Sequence, residues 1–183
     1  MWTRILAAAL IAVSVATTAA AQQQLTPLQI FRSVQRQVLT YPHFSVFDSV
    51  NAQISDGLLT LTGKVTMPFK RNDLEQRVSK LPGVVKVDNR IEVLPASKFD
   101  DELRQGIANA IYGNATFSRY ANQVNPPIHI IVERGRVTLE GVVGSQLDRQ
   151  LAYTIASQFG AFTVKNELRT EEEVRAELKK LQG

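Results

Sequence analysis

The chain has 183 residues and a formal charge of +4, from 21 Lys and Arg against 17 Asp and Glu, and it contains no cysteine. That length fits one or two small domains. The missing cysteines exclude disulfides, a lipid-modified N-terminal cysteine and thiolate metal sites, and a mild charge without a dense basic stripe argues against a nucleic-acid partner.

Residues Met1 to Ala21 read as a secretory signal: Arg4, then the apolar run Ile5 to Val15, then small residues ending Ala19-Ala20-Ala21. The run is too short to span a bilayer, so cleavage after Ala21 is expected. No later stretch approaches the length of a membrane helix, which predicts an exported product with no transmembrane segment.

Thr26-Pro27 then reads as an N-cap and first turn, with Leu28, Phe31, Val34 and Val38 at helical spacing. After Tyr41-Pro42, Val46, Val50, Ala52 and Ile54 alternate with polar residues in the two-residue period of a half-buried strand. Asp56-Gly57 predicts a tight hairpin turn returning through Leu59, Leu61, Gly63 and Val65. A helix follows from about Pro68 to Lys80 with Leu74, Val78 and Leu81 on one side. Pro82-Gly83 ends it, and a strand carries Val85, Val87, Asn89, Ile91 and Val93.

The same order then returns. Gly57 and Gly63 recur as Gly135 and Gly141, an offset of 78, while Asn89 recurs as Asn166, an offset of 77. Phe99, Leu103, Ile107 and Ile111 form the first helical stripe of this second copy, headed by Asp100, Asp101 and Glu102 at the positive end of the helix dipole. Ile128, Ile130 and Val132 stand in register with Val50, Ala52 and Ile54, and Leu151 and Ile155 are paired with Leu74 and Val78. The expected fold is therefore α+β: two tandem αββαβ domains, residues 26–95 and 98–170, each a three-stranded mixed sheet covered on one face by two helices. Residues 171–183 read as a charged, weakly docked helix with Val174, Leu178 and Leu181 on its apolar edge, capped from Thr170 and carrying a Glu171 to Arg175 ion pair.

Catalytic equipment is sparse. His43 and His129 are the only histidines, in non-equivalent places, and the alternation of His129 with Ile128 and Ile130 points it to the outer sheet face. No zinc site, phosphate loop or nucleophile and base arrangement follows, so no enzyme, metal or cofactor is expected. Asn89 and Asn166 are the one repeated polar pair within apolar strand faces, suited to satisfying backbone groups of a neighbouring helix. The segment from Tyr112 to Tyr120 has no counterpart in the first copy, and it gathers Tyr112, Phe117 and Tyr120 near Arg119. These four residues are the candidate binding surface, for a lipid headgroup boundary or a protein patch, unless the rings fold back as a lid over the core.

The Asp56-Gly57-Leu58-Leu59-Thr60-Leu61-Thr62-Gly63 hairpin, the Leu81-Pro82-Gly83-Val84 helix exit and the Val87-Asp88-Asn89-Arg90-Ile91 strand resemble the BON domain family, as do Pro126 to Val132 and Arg136 to Gly141 in the second copy. The resemblance covers nearly all of residues 26–170 and rests on structural motifs. It implies a periplasmic, osmotic-stress or transport-associated protein, linked to phospholipid surfaces and envelope integrity rather than catalysis. On that basis the expected partner is an anionic phospholipid surface or an envelope protein. A chaperone-like module for exported proteins, without lipid binding, is the alternative.

Overall fold

A computed structural model describes residues 25–180. The segment read as a signal, residues 1–21, lies outside them, as does Leu181. Two αββαβ units follow one another along the chain, each with its own core.

In the first unit, α1 (Pro27–Leu39) opens with Thr26, whose side chain accepts the Gln29 N–H while the Gln29 amide oxygen accepts the Thr26 N–H. This reciprocal cap satisfies two otherwise orphaned donors. β1 (Ser49–Ser55) runs antiparallel to β2 (Leu58–Val65). Between them Asp56 and Gly57 take φ of 49° and 79°, the doubly left-handed turn that matches the twist of paired strands. α2 (Pro68–Val78) then carries the chain to β3 (Lys86–Val93), parallel to β2, so β2 is the central strand. Ile30, Val34 and Val38 from α1 and Leu74 and Val78 from α2 close over Leu59, Leu61, Val65 and Ile91.

The second unit repeats this. α3 (Lys98–Tyr112) leads, by way of a 3-10 turn at Ala115–Phe117 and the short α4 (Ser118–Ala121), to β4 (Ile128–Glu133). Next come β5 (Arg136–Val143), α5 (Gln146–Ala156) and β6 (Thr163–Thr170), with the order β4-β5-β6 and the same mixed pairing. Its inner sheet face is the better sealed: Ile128, Ile130 and Val132 are buried, whereas Val50, Ala52 and Ile54 are only half-buried. α6 (Glu171–Lys180) closes the described chain.

Three details differ from the sequence reading. On α1 the core stripe is Ile30, Val34 and Val38, while Leu28 and Phe31 are 45% and 40% exposed. The helix has two apolar faces, and Leu28 and Phe31 belong to the outer one. On α5 the residues matching Leu74 and Val78 are Ala152 and Ala156, which keep the offset of 78 through the helix; the lost residue falls after it. Leu151 and Ile155 still pack on the core from beside them. On α6 the Thr170 and Glu173 side chains cap each other's backbone N–H groups as expected. Among the described residues, however, its ion pairs are Arg149 with Glu173 and Arg169 with Glu177, which tie the helix to α5 and β6 rather than to itself.

The two units also meet. The Ile130 N–H donates to the Val46 carbonyl at 2.7 Å, so the turn before β1 covers one N–H on the edge of β4. The Asn125 amide donates to the Leu39 carbonyl at 2.9 Å, Ser49 donates to Glu140, and Lys64 pairs with Glu133. The Val46 bond satisfies one N–H on the edge of that sheet, and the other three contacts add polar ties between the halves.

Candidate functional site

The four residues singled out by sequence come together at one end of the second unit. Phe117 is fully buried and stacks on Tyr120, centroids 6.0 Å apart. The Tyr120 hydroxyl donates to Asp148 at 2.9 Å and accepts the Gly144 N–H at 2.7 Å, bracing α4 against the start of α5. The Tyr112 hydroxyl donates to the Ile128 carbonyl and accepts the Ile128 N–H, and burial pushes its pKa upward. Only Arg119 presents most of its side chain to solvent, 57%, with the guanidinium 4.7 Å above the Tyr120 ring and paired to Asp148. Three aromatics thus face inward and one cation faces out.

An exposed aromatic pair lies at the opposite end, around the β4–β5 hairpin. Phe162, at the start of β6, is 76% exposed and Phe99, in the first turn of α3, is 50% exposed; their centroids are 6.3 Å apart. Both lie against Gly135: a Cβ added there would meet the Phe162 ring at 2.7 Å and Phe99 at 3.3 Å. Phe159 packs on Gly106, two turns along α3 on the same face as Phe99. Exposed Arg134 and Arg136 flank Gly135, and exposed Lys98 precedes Phe99. The hairpin tip is held rigid by Asp100, a buried acid that accepts the N–H groups of both Arg134 and Gly135. Sequence reading assigned Phe99 to the core stripe and Asp100 to the helix dipole. The available signal was the concentration of three phenylalanines at element ends that meet at one hairpin.

Acid and base chemistry finds little purchase. His43 is wedged edge-on between the Tyr41 and Phe69 rings, each 5.5 Å away. His129 lies on the outer sheet face, as its alternation requires, under Phe44 at 5.5 Å. Burial holds its pKa below the usual imidazole range, against the pull of Asp48 and Glu140. Among the described residues no cluster of three His, Cys, Asp or Glu side chains could hold a metal ion. The buried pair Lys70 and Asp48, 2.7 Å apart, resembles a catalytic couple, but Asp48 also accepts from Ser45 and Thr66 and works as a lock on the loop before β1. Asn89 and Asn166 donate to the Arg71 and Arg149 carbonyls, at 3.0 and 2.9 Å, and accept the N–H two residues ahead. They tie each second helix to its last strand.

Two clefts run along the seam between the units. One, of about 610 Å³, is walled by Leu28, Phe31 and Val38 of α1, Phe44, Val142 of β5 and Leu178 of α6. The other, of about 520 Å³, lies where α2, the linker and α3 converge and is bordered by Lys70 and Arg104. Among the described residues no helix is long and apolar enough to cross a membrane.

Comparison with known proteins adds the following. The chain is similar to the solved structure of CdsD, a structural protein of the type III secretion system of Chlamydia trachomatis, at 16% identity and a TM-score of 0.30 over 82% of this chain and 97% of that one. It is also similar to the separately solved C-terminal domain of CdsD, at 14% identity and a TM-score of 0.29, over 79% of this chain and 98% of that one. No curated protein matches. The family model of the BON domain matches twice, over residues 29–95 and 114–172, leaving α3 outside the second match. With more than half of its length matched, and with an αββαβ unit folded around each matched segment, the chain belongs to the BON domain family.

Proposed function

We propose that the protein is an exported, non-enzymatic binding module of the periplasm that docks reversibly on anionic phospholipid surfaces, in a role linked to osmotic or envelope stress. The observation that carries this reading is the Phe99 and Phe162 pair standing out over Gly135 with Arg134 and Arg136 beside it. Aromatic rings with neighbouring cations suit the boundary between headgroups and acyl chains. Burying one phenylalanine contributes roughly 1.5–3 kcal/mol, and each basic residue near an anionic surface adds about 1 kcal/mol. Two rings and three cations therefore favour weak, salt-sensitive attachment over permanent anchoring.

Sedimentation with phosphatidylglycerol vesicles and with phosphatidylcholine vesicles, at low and moderate salt, tests the reading. Binding to the anionic vesicles alone, weakened by salt and lost in Phe99→Ser/Phe162→Ser, supports it. Absence of binding at both salt levels removes it. A second reading, capture of extended apolar segments of exported proteins without lipid, is favoured by the cleft of about 610 Å³ lined by Leu28, Phe31 and Phe44. It predicts that Phe31→Ser, and not Phe162→Ser, abolishes protection of an aggregating client.

A further inference from the structure

We propose that β1 is a docking edge for a second copy of this chain, the two strands pairing antiparallel about a two-fold axis at Ala52. The inference is independent of the membrane reading, because it uses neither the β4–β5 hairpin nor its aromatic rings.

With β2 and β5 central in their sheets, β1, β3, β4 and β6 each leave one edge without a neighbouring strand. Such an edge is a template for another chain unless charge, proline or a cover blocks it. β3 carries Lys86, Asp88, Arg90 and Glu92, and β6 carries Lys165, Glu167 and Arg169. β4 is covered instead. Its tight turn makes Glu133 the hydrogen-bonded partner of Arg136, so Ile128, Ile130 and Val132 turn their backbone groups away from β5. The Tyr112 hydroxyl serves both groups of Ile128, the Val46 carbonyl takes the Ile130 N–H, and Arg104 donates to the Val132 carbonyl.

β1 has none of these devices. By the same register Val50, Ala52 and Ile54 turn their N–H and C=O groups away from β2, and among the described residues these groups have no hydrogen-bond partner. The strand, Ser49–Ser55, contains neither charge nor proline. Its edge opens onto space, since Ser49 to Ala52 border the cleft of about 610 Å³.

The strand itself specifies what fits. Ser-Val-Asn-Ala-Gln-Ile-Ser reads as the same residue classes from either end. With Ala52 on the axis, Ala52 faces its own copy, Val50 faces Ile54, Asn51 faces Gln53 and Ser49 faces Ser55. The unpartnered groups of Val50, Ala52 and Ile54 then form the hydrogen-bonded pairs, while matched amides meet on the outer face. No charge within the strand opposes another, and the preceding Asp48 is enclosed against Lys70. The contact is isologous and closes at two copies, so it consumes the edge rather than extending into a fibre.

Sedimentation equilibrium of the purified protein from about 10 µM to about 1 mM, with amide exchange over the same range, tests the proposal. Asn51 and Gln53 are exposed, so substitutions there leave the core untouched, and circular dichroism melts check the fold. Asn51→Glu/Gln53→Lys sets unlike charges opposite each other in both cross-strand pairs and should tighten the dimer about fivefold, whereas Asn51→Lys/Gln53→Lys sets like charges there and should weaken it about tenfold. A concentration-dependent dimer that diverges in this way, with exchange at Val50, Ala52 and Ile54 slowed on association, supports the proposal. A monomer at every concentration, or a dimer that responds equally to both variants, overturns it. Exchange slowed only by an added extended peptide of alternating valine and threonine also overturns it, by giving the edge to a foreign strand.

Discussion

The carboxylate of Asp100 accepts the N–H of Gly135 at 2.7 Å, and its other oxygen accepts that of Arg134 at 2.8 Å. One buried side chain on α3 thereby pins the tip of the β4–β5 hairpin and holds an arginine at a φ of 52°, where L side chains are strained. Asp100→Ala leaves two N–H groups unpaired and is expected to destabilise the protein by about 2–4 kcal/mol, read from urea unfolding. Hydrogen exchange at Arg134 and Gly135 should accelerate well beyond that of the first hairpin. Equal exchange in wild type and variant would show that the acid does not restrain the turn.

His129 sets a pH dependence. Burial keeps its folded pKa below the ordinary 6.5, so the fold prefers the neutral ring while Asp48 and Glu140 only partly offset that preference. As pH falls below about 6.5 the unfolded chain takes up a proton that the folded chain refuses, and stability declines until the folded ring also titrates. Above about pH 7 the penalty is absent. Urea midpoints between pH 7.5 and 5 should therefore fall for wild type and fall less for His129→Gln. A wild-type midpoint that rises on acidification contradicts the assignment.

Phe117 and Phe162 should behave oppositely. Phe117 is fully enclosed, and Phe117→Ala is expected to cost about 3–5 kcal/mol of stability. Phe162→Ala removes a ring that is 76% exposed and should change stability by no more than about 0.5 kcal/mol. Paired denaturation curves check the contrast, and a large loss for Phe162→Ala would mean that its ring is structural.

Gly141 sits in the middle of β5 with φ of 121°, and a Cβ there would lie 1.8 Å from the Pro127 carbonyl oxygen. Gly141→Ala is expected to cost at least about 4 kcal/mol, among the largest effects of a single substitution. Gly160→Ala is the control: φ is 68° with nothing within 4 Å, so only the left-handed strain of about 1–2 kcal/mol applies. Comparable losses at the two positions would refute the close approach.

Sheet architecture was the part most legible in sequence, because a two-residue alternation and an Asp56-Gly57 turn leave one economical way to bury a face. Helix faces were harder. α1 offers Leu28 and Phe31 on one side and Ile30 on the other, and both lie near the helical period around Val34 and Val38; the choice depends on what the outer face meets. That outer face meets the seam, whose position follows from the contact between Val46 and Ile130, a backbone bond that no side-chain pattern announces. Phe99, Phe159 and Phe162 were obscured for a related reason: each sits at an element end, where period gives no direction, and they converge only once the chain is folded. The burial of Phe117 had no template in the first half, since the loop that carries it is unique to the second.

Position 70 and its equivalent, position 148, carry opposite charges. Lys70 is enclosed against Asp48, while Asp148 is enclosed against Tyr120 and Arg119. Either side chain, transplanted into the other half, would find a like charge or no partner at all, and an unmatched buried ion costs several kcal/mol. The halves share a backbone plan yet have ceased to be interchangeable parts. A chain assembled from two first halves would keep each local ion pair but lose the Val46 and Ile130 junction, so duplication here ended in mutual dependence rather than redundancy.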